Sequence, residues 1–197
     1  MRITKYLLKI FVIQIIIAIY PLHGYALEKS THGAMNRYIA ENTVRAFSLD
    51  RHLKDQLGFS NGKDETFKDR KVFEWLDYGG WKEDEPLYRS FRHYHNPLET
   101  WDKAGLKRSA GGRSSIIWAQ STDQSWGHYA WQDARVDFYF ALTSKDRATR
   151  EAFFADLFRG LGQQMHLIED ASVPLHTRDD VHIFYSYEDW VQDFREN

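Results

Sequence analysis

The most informative absence in this 197-residue sequence is cysteine, which does not occur at all. Without disulfides, a protein of this sequence must be held together by its apolar core or by bound metal ions. Two further features are missing. No internal repeat is visible, and no segment shows the sustained alternation of apolar and polar residues that predicts a β-strand. A helical domain is therefore the expected fold class.

The sequence also has no excess of basic residues, because its 26 lysines and arginines are fewer than its 28 aspartates and glutamates. Three of the basic residues and none of the acidic ones lie in residues 1–26, so the remaining chain carries a net charge of −5. That charge argues against a general nucleic-acid binder, which would show a basic stripe. The hydrophobic content of 43% and the aromatic content of 16% suit one globular domain over residues 27–197.

Residues 1–26 have the pattern of a secretory signal peptide. A start with three basic residues precedes an apolar run at 10–20, and small residues follow at Gly24 and Ala26. Cleavage after Ala26 would release a secreted or periplasmic protein that begins at Leu27. The alternative is an uncleaved anchor that tethers a structural protein to the membrane, although a transmembrane helix needs about 20 apolar residues.

Apolar residues at helical spacing predict an all-α, multi-helix bundle. Ser30 and Thr31 are candidate caps for the first helix, and the Gly79–Gly80 pair is predicted to end the third. Residues 81–115 are polar, aromatic and rich in helix breakers, so we expect a long ordered loop of the kind that often carries function. The final predicted helix has no stop signal, which suggests a domain that is short at its C-terminus. The predicted helices cover 30–47, 48–59, 66–80, 125–144, 145–170 and residues from 189 onward.

One stretch, “HLIEDASVPLH” at residues 166–176, combines metal-binding side chains with helical spacing. His166 and Asp170 are four residues apart, so they share one face of a helix. Pro174 ends the helix and lets His176 turn back toward the same cavity. A nitrogen and a carboxylate oxygen in this arrangement can meet one divalent ion, since zinc takes both at about 2.0–2.2 Å. The alternative is an ordinary surface pair at the end of a helix.

This stretch resembles the H-x-x-x-D-x-x-x-P-x-H segment of the zinc-dependent phospholipase C family, which shares an all-α fold with the fungal single-strand-specific nucleases. The resemblance implies a cluster of about three zinc ions built from five pieces of chain. The segment would supply His166 and Asp170 to one pair of ions, with Asp170 as the bridge, and His176 to the remaining ion. The resemblance extends over residues 27–191.

Three further pieces of the family pattern occur in the family's order. Leu27, as the new N-terminus, would bind through its free amine, in a place where the family usually has Trp. His32 in “STHGAMNRYIAE” would be the early histidine ligand. Asp84 in “GGWKEDEP” matches an aspartate after a glycine, and His93 in “RHYHNP” matches the next histidine. His95, two positions later, is the alternative to His93.

The fifth piece departs from the family. The segment “FYSYEDWV” keeps Glu188, the expected glutamate ligand, but Phe184 occupies the position of a histidine four residues earlier. His182 lies two residues before Phe184 and could reach the same ion from a loop. Otherwise that ion is held by His176 and Glu188, or it is lost.

The resemblance implies a phosphodiesterase in which water activated by zinc attacks phosphorus. Asp84 would hold an ion or act as the catalytic base for that water. The acidic charge favours a phospholipid substrate, and single-stranded nucleic acid is the alternative. The departure at position 184 leaves a further alternative, a family member that binds metal without catalysis.

Overall fold

The computed structural model describes residues 28–107, 112–178 and 187–196. Within these ranges the chain is mostly helical, which confirms the expected all-α class in its coarse form. The predicted signal peptide, residues 1–26, lies outside the described residues. The helices, in chain order, are α1 (Lys29–Glu41), α2 (Leu49–Leu57), α3 (Val72–Lys82), α4 (Ser115–Gln120), α5 (Trp131–Thr143), α6 (Arg147–Asp170) and α7 (Tyr187–Glu196).

Two small antiparallel hairpins interrupt segments that were predicted to be helical. They replace the end of the predicted helix over 30–47 and the start of the one over 66–80. The first hairpin turns at Arg45 and Ala46, whose φ angles of 47° and 67° no α-helix can accommodate. In the second, Lys68 has a φ of 56°. The strand pairs are β1 (Thr43–Val44) with β2 (Phe47–Ser48), and β3 (Thr66–Phe67) with β4 (Arg70–Lys71).

Helix α6 is the central element of the domain. Its 24 residues span about 36 Å at 1.5 Å per residue, and it packs against α3 on one side and α5 on another. The Asp146 side chain caps its N-terminus by accepting a hydrogen bond from the Thr149 amide at 2.7 Å. Across the part of the chain that is described, no helix has both the length and the apolar content needed to cross a bilayer. Core residues between these elements include Leu53, Phe67, Val72, Trp75, Leu76, Phe154, Leu157 and Phe158.

Glycines allow α3 and α6 to cross at close range. A Cβ atom at Gly79 would lie 2.2 Å from a backbone carbonyl oxygen of α6, and one at Gly162 would lie 2.3 Å from a carbonyl oxygen of α3. The prediction that the Gly79–Gly80 pair ends the third helix is therefore wrong, because α3 continues to Lys82. These glycines are required by packing against another helix, which the local sequence does not reveal.

Asn36 joins α1 to this crossing. Its side chain is fully buried, and its amide nitrogen donates to the carbonyl oxygens of Leu76 on α3 and Gly162 on α6, each at 3.0 Å. One side chain thus fixes three helices relative to one another. That arrangement places the first turn of α1 beside the last turn of α6.

The described residues between α3 and α4, 83–107 and 112–114, form a loop, as predicted, with 3-10 helical turns at Leu87–Arg92. Arg89 is buried and anchors the loop, because its guanidinium donates to the Glu83 carboxylate at 2.5 Å and to the Glu83 carbonyl at 3.1 Å. The Trp118 indole of α4 donates to the same carboxylate at 2.8 Å. This buried network holds both ends of the short stretch 83–89, which contains the predicted metal ligand Asp84 and directly precedes the segment that carries His93.

Candidate metal centre

Six buried polar side chains from four parts of the chain converge next to the crossing of α3 and α6. They come from α1, from the loop after α3, from the last turns of α6 and from the turn that follows α6. Each side chain is at most 1% exposed. We call this group the His–Asp cluster, and it consists of His32, Asp84, His93, His166, Asp170 and His176.

Asp170 lies at the centre of the His–Asp cluster. Its Oδ2 atom is 2.7 Å from Nδ1 of His93 and 3.2 Å from Nε2 of His166. Its Oδ1 atom is 3.2 Å from Nε2 of His32. Nδ1 of His176 is further away, at 3.9 Å from Oδ2. A buried carboxylate with histidines on both of its oxygens could serve as a metal ligand.

Asp84 provides the clearest sign that a cation belongs here. Both of its carboxylate oxygens are buried, and neither has a hydrogen-bond partner among the residues that the structure describes. The nearest nitrogens are Nδ1 of His93 at 3.6 Å and Nε2 of His166 at 3.9 Å. These separations are too long for hydrogen bonds. They fit two ligands of one ion, which lie about 3.4 Å apart when each is about 2.1 Å from a tetrahedral zinc.

The ligand atoms form two overlapping groups, each with its atoms within 4.8 Å of one another. One group is His32, His166 and Asp170, and the other is Asp84, His93 and His166. Buried carboxylate oxygens without partners cost free energy unless a cation satisfies them. Imidazole nitrogens with carboxylate oxygens are donors that zinc and neighbouring divalent transition metals accept. The residues present therefore fit a metal ion.

The second ring nitrogen of two histidines is held from outside the cluster. Nδ1 of His166 lies 2.6 Å from the carbonyl oxygen of Gly80, next to the close helix crossing. Nδ1 of His32 lies 2.6 Å from Oε2 of Glu169. Because an oxygen accepts at each position, Nδ1 carries the hydrogen and Nε2 presents its lone pair to the cluster.

His93 has the opposite orientation. Its Nδ1 atom faces Asp170, and its Nε2 atom faces Oε1 of Glu83 at 3.7 Å. Glu83 is in turn fixed by Arg89 and Trp118. Burial raises the pKa of Glu83, but the guanidinium of Arg89, with His93 and the Trp118 indole, together outweigh burial and lower that pKa to about 2. The loop thus places a permanently charged carboxylate behind a predicted ligand.

The electrostatic field of the cluster favours positive charge. Burial lowers the pKa of His32, but the carboxylates of Asp170, Glu169 and Asp84 together outweigh burial and raise that pKa to about 9. Burial likewise lowers the pKa of His93, and the carboxylates around it, Asp170 first, raise that pKa to about 10. For Asp170, burial raises the pKa, and the surrounding histidines, His166 first, hold it well below its usual range. Positive charge can be supplied here by protons on the histidines or by divalent ions that displace them.

The two alternatives for the loop histidine are separated by the structure. His93 is buried and belongs to the His–Asp cluster. His95 points away, with Nδ1 at 2.8 Å from the hydroxyl of Ser114 and its backbone amide donating to the carbonyl oxygen of His176 at 2.9 Å. His95 therefore fixes the loop against the turn after α6 and does not reach the cluster.

The remaining predicted ligands are not placed. Leu27 and His182 lie outside the described residues, and so does Phe184. Glu188 is on α7, but its side chain is outside the description. These ligands stay predictions.

Helix α7 does lie near the cluster. The hydroxyl of Thr31, the neighbour of His32 on α1, donates to the side chain of Gln192 on α7 at 2.9 Å. The start of α1 and the middle of α7 are therefore in direct contact.

Two buried carboxylates of the site were not foreseen. Glu83 directly precedes Asp84 and is 1% exposed. Glu169 directly precedes Asp170 and contacts His32 across 137 positions of sequence. The only available signal was that each glutamate directly precedes a predicted aspartate ligand.

Comparisons with protein-family models, with curated proteins and with solved structures gave no match for the chain. The chemistry of the site must therefore be inferred from its own residues.

Proposed function

We propose that the chain is a secreted zinc-dependent phosphodiesterase of the phospholipase C type, which hydrolyses phospholipid headgroups. The observation that carries the proposal is the burial of the Asp84 and Asp170 carboxylates among four histidines, with neither oxygen of Asp84 hydrogen-bonded in the described structure. The order and spacing of these residues resemble that family. The acidic balance of the chain favours phospholipid over nucleic acid as the substrate.

Zinc fits the donors of the His–Asp cluster better than magnesium or calcium, which prefer sites made of oxygen ligands. When bound, zinc supplies a Lewis acid and lowers the pKa of a coordinated water toward about 7. The other roles in the site belong to the side chains of the His–Asp cluster. Asp170 joins the two ligand groups, because its Oδ1 atom faces His32 of one group and its Oδ2 atom faces His93 of the other. Nε2 of His166 would bind one of the ions.

Asp84 is the proposed base. Its two oxygens have no hydrogen bonds in the described structure, so one can hold an ion while the other accepts a proton from the attacking water. The water would add to phosphorus as the bond to the leaving oxygen breaks. The proton taken by Asp84 would then pass to the leaving group.

Removal of residues 1–26 is part of the proposal. His32 is in the first turn of α1, so a new N-terminus at Leu27 would be five residues away from it. N-terminal sequencing of the exported protein should begin at Leu27. A chain that retains Met1 could not offer that amine and would instead support the anchored alternative.

A second candidate is a metal-binding protein without turnover. The observation that favours it is the burial of all six side chains of the His–Asp cluster, since structural metal sites are closed whereas catalytic ones keep an open position. Activity of a zinc-replete preparation separates the two candidates.

The test measures hydrolysis of bis(4-nitrophenyl) phosphate, phosphatidylcholine vesicles and single-stranded DNA by the zinc-loaded protein. We expect turnover of the first two, loss of that turnover with a chelator and recovery with added zinc. His166→Ala should reduce turnover more than about 100-fold. The matched control, His52→Ala on the exposed face of α2, should leave it unchanged. Equal activity of the two variants would contradict the proposal, and zinc binding without turnover would favour the second candidate.

A further inference from the structure

We propose that Glu169 is a positioning residue that orients His32 and strengthens ion binding at the group formed by His32, His166 and Asp170. The inference rests on the proposed metal site. It concerns a residue that the metal-binding pattern of the sequence did not single out as a ligand.

The contact between Glu169 and His32 is short and buried. Oε2 of Glu169 lies 2.6 Å from Nδ1 of His32, and the two side chains are 7% and 0% exposed. On the far side of the same ring, Nε2 faces Oδ1 of Asp170 at 3.2 Å. The imidazole is therefore held between two consecutive carboxylates of α6, one inside the cluster and one behind it.

This arrangement selects one tautomer of His32. A carboxylate can only accept from the Nδ1 position, so the hydrogen stays on Nδ1 and the lone pair of Nε2 points at the ion site. The ring plane is fixed separately, because His32 stacks on His166 with centroids 3.5 Å apart and an interplanar angle of 19°. Stacking alone would permit a flip of the ring about its Cβ–Cγ bond, because the flipped ring lies in the same plane. Glu169 decides which edge faces inward.

The negative charge of Glu169 has a second effect besides orienting the His32 ring. A carboxylate that accepts the hydrogen of a metal-binding histidine makes its other nitrogen a stronger donor, and loss of such a partner typically weakens metal binding 10–100-fold. Glutamine at this position would keep an acceptor for the Nδ1 hydrogen but remove the negative charge. Leucine would remove both. The two substitutions therefore separate charge from orientation.

A purely structural salt bridge between α1 and α6 is the competing explanation. It would stabilise the fold to the same extent with and without metal. A positioning role predicts in addition that the increase in Tm caused by zinc becomes smaller in the variants, because their ion site binds less tightly.

The experiment compares Glu169→Gln and Glu169→Leu with Glu151→Gln in the full mature chain. Glu151 is on the same helix and pairs with Arg147 at the surface, away from the cluster. Zinc affinity is measured by competition with a chromophoric chelator, and Tm is measured with and without zinc. We expect affinity to fall about tenfold in Glu169→Gln and about 100-fold in Glu169→Leu. Glu151→Gln should match the wild type.

The proposal is overturned if the Glu169 variants bind zinc as tightly as Glu151→Gln, or if they lower Tm equally with and without zinc. Because Glu169→Gln preserves side-chain volume, it decides the matter alone if Glu169→Leu does not fold. These outcomes leave the proposed metal site standing. A wild-type chain that binds no zinc would instead overturn the proposed function, and this inference with it.

Discussion

The last turns of α6 present two faces of opposite chemistry. One face carries His166 and Asp170 into the His–Asp cluster, where buried oxygens have no hydrogen-bond partners in the described structure. The opposite face carries Leu161, Met165 and Ile168, which line an apolar cavity of about 610 Å³. Unfilled apolar space costs only lost van der Waals contact, whereas a buried unpaired carboxylate costs far more. The polar face therefore specifies the chemistry of its ligand, and the apolar face does not.

The largest expected effect comes from removing charge at the centre of the polar face. Asp170→Asn preserves shape but removes the carboxylate that faces three histidines within 3.2 Å. We expect most of the bound zinc to be lost and turnover of a chromogenic phosphodiester to fall more than about 100-fold. Met165→Leu, a volume-conserving change on the apolar face, should retain both. If Asp170→Asn binds as much zinc as Met165→Leu does, the two faces of α6 do not differ as described.

The next effect is the pH dependence of the metal-free protein. The folded-state pKa values of His32 and His93, about 9 and about 10, lie above the ordinary value of 6.5. Their contribution to stability is therefore fully present below pH 6.5 and is lost as pH rises through 9–10. The metal-free protein should therefore be less stable at pH 9.5 than at pH 6.5.

Thermal unfolding at pH 6.5 and pH 9.5 checks this expectation. With a chelator, Tm should be lower at the higher pH. With excess zinc the difference should shrink or reverse, because zinc competes with protons for the same nitrogens. A chelated protein that is equally stable at both values would show that the carboxylates do not act on these histidines.

A smaller effect tests the close helix crossing behind the polar face. Gly162→Ala would place a methyl group 2.3 Å from a carbonyl oxygen of α3, so we expect a loss of about 1–3 kcal/mol of unfolding free energy. Gly160→Ala is the matched control on α6, since its nearest neighbour would be 3.7 Å away. That change should stabilise the helix by about 0.5–1 kcal/mol. Denaturant titration of both variants measures the contrast, which would vanish if α3 and α6 were further apart.

The smallest effect is expected on the apolar face. Ile168 is 71% exposed, so Ile168→Gln should change the free energy of unfolding by no more than about 0.5 kcal/mol. Zinc content should not change. A loss of zinc in this variant would mean that the cavity and the cluster are coupled across the helix.

The parts of the fold that could be predicted depend on local signals. Helix α6 follows from its periodic apolar residues. The hairpin at Arg45 and Ala46 could not be predicted, because non-glycine residues with positive φ are uncommon and nothing in the local sequence marks them. The role of Gly79 was misjudged for a related reason. A glycine at a close helix crossing and a glycine at a helix end look alike in sequence.

The residues of the site also divide into those that local sequence signals predict and those that they do not. The pairing of His166 with Asp170 follows from helical spacing, and the approach of His32, Asp84 and His93 followed only from the resemblance to a known pattern. The role of Glu169 could be predicted neither from helical spacing nor from the resemblance. Its contact with His32 depends on how α1 packs against α6, which Asn36 fixes through bonds to two other helices.

The most direct test of the account is the metal content of the purified mature chain, measured by native mass spectrometry beside His166→Ala. Because Nε2 of His166 is a candidate ligand in both groups and can bind one ion, the variant should lose at least one ion. We predict about three zinc ions in the wild type and about two or fewer in the variant. A wild-type chain without zinc, or a variant with undiminished zinc, would contradict the account.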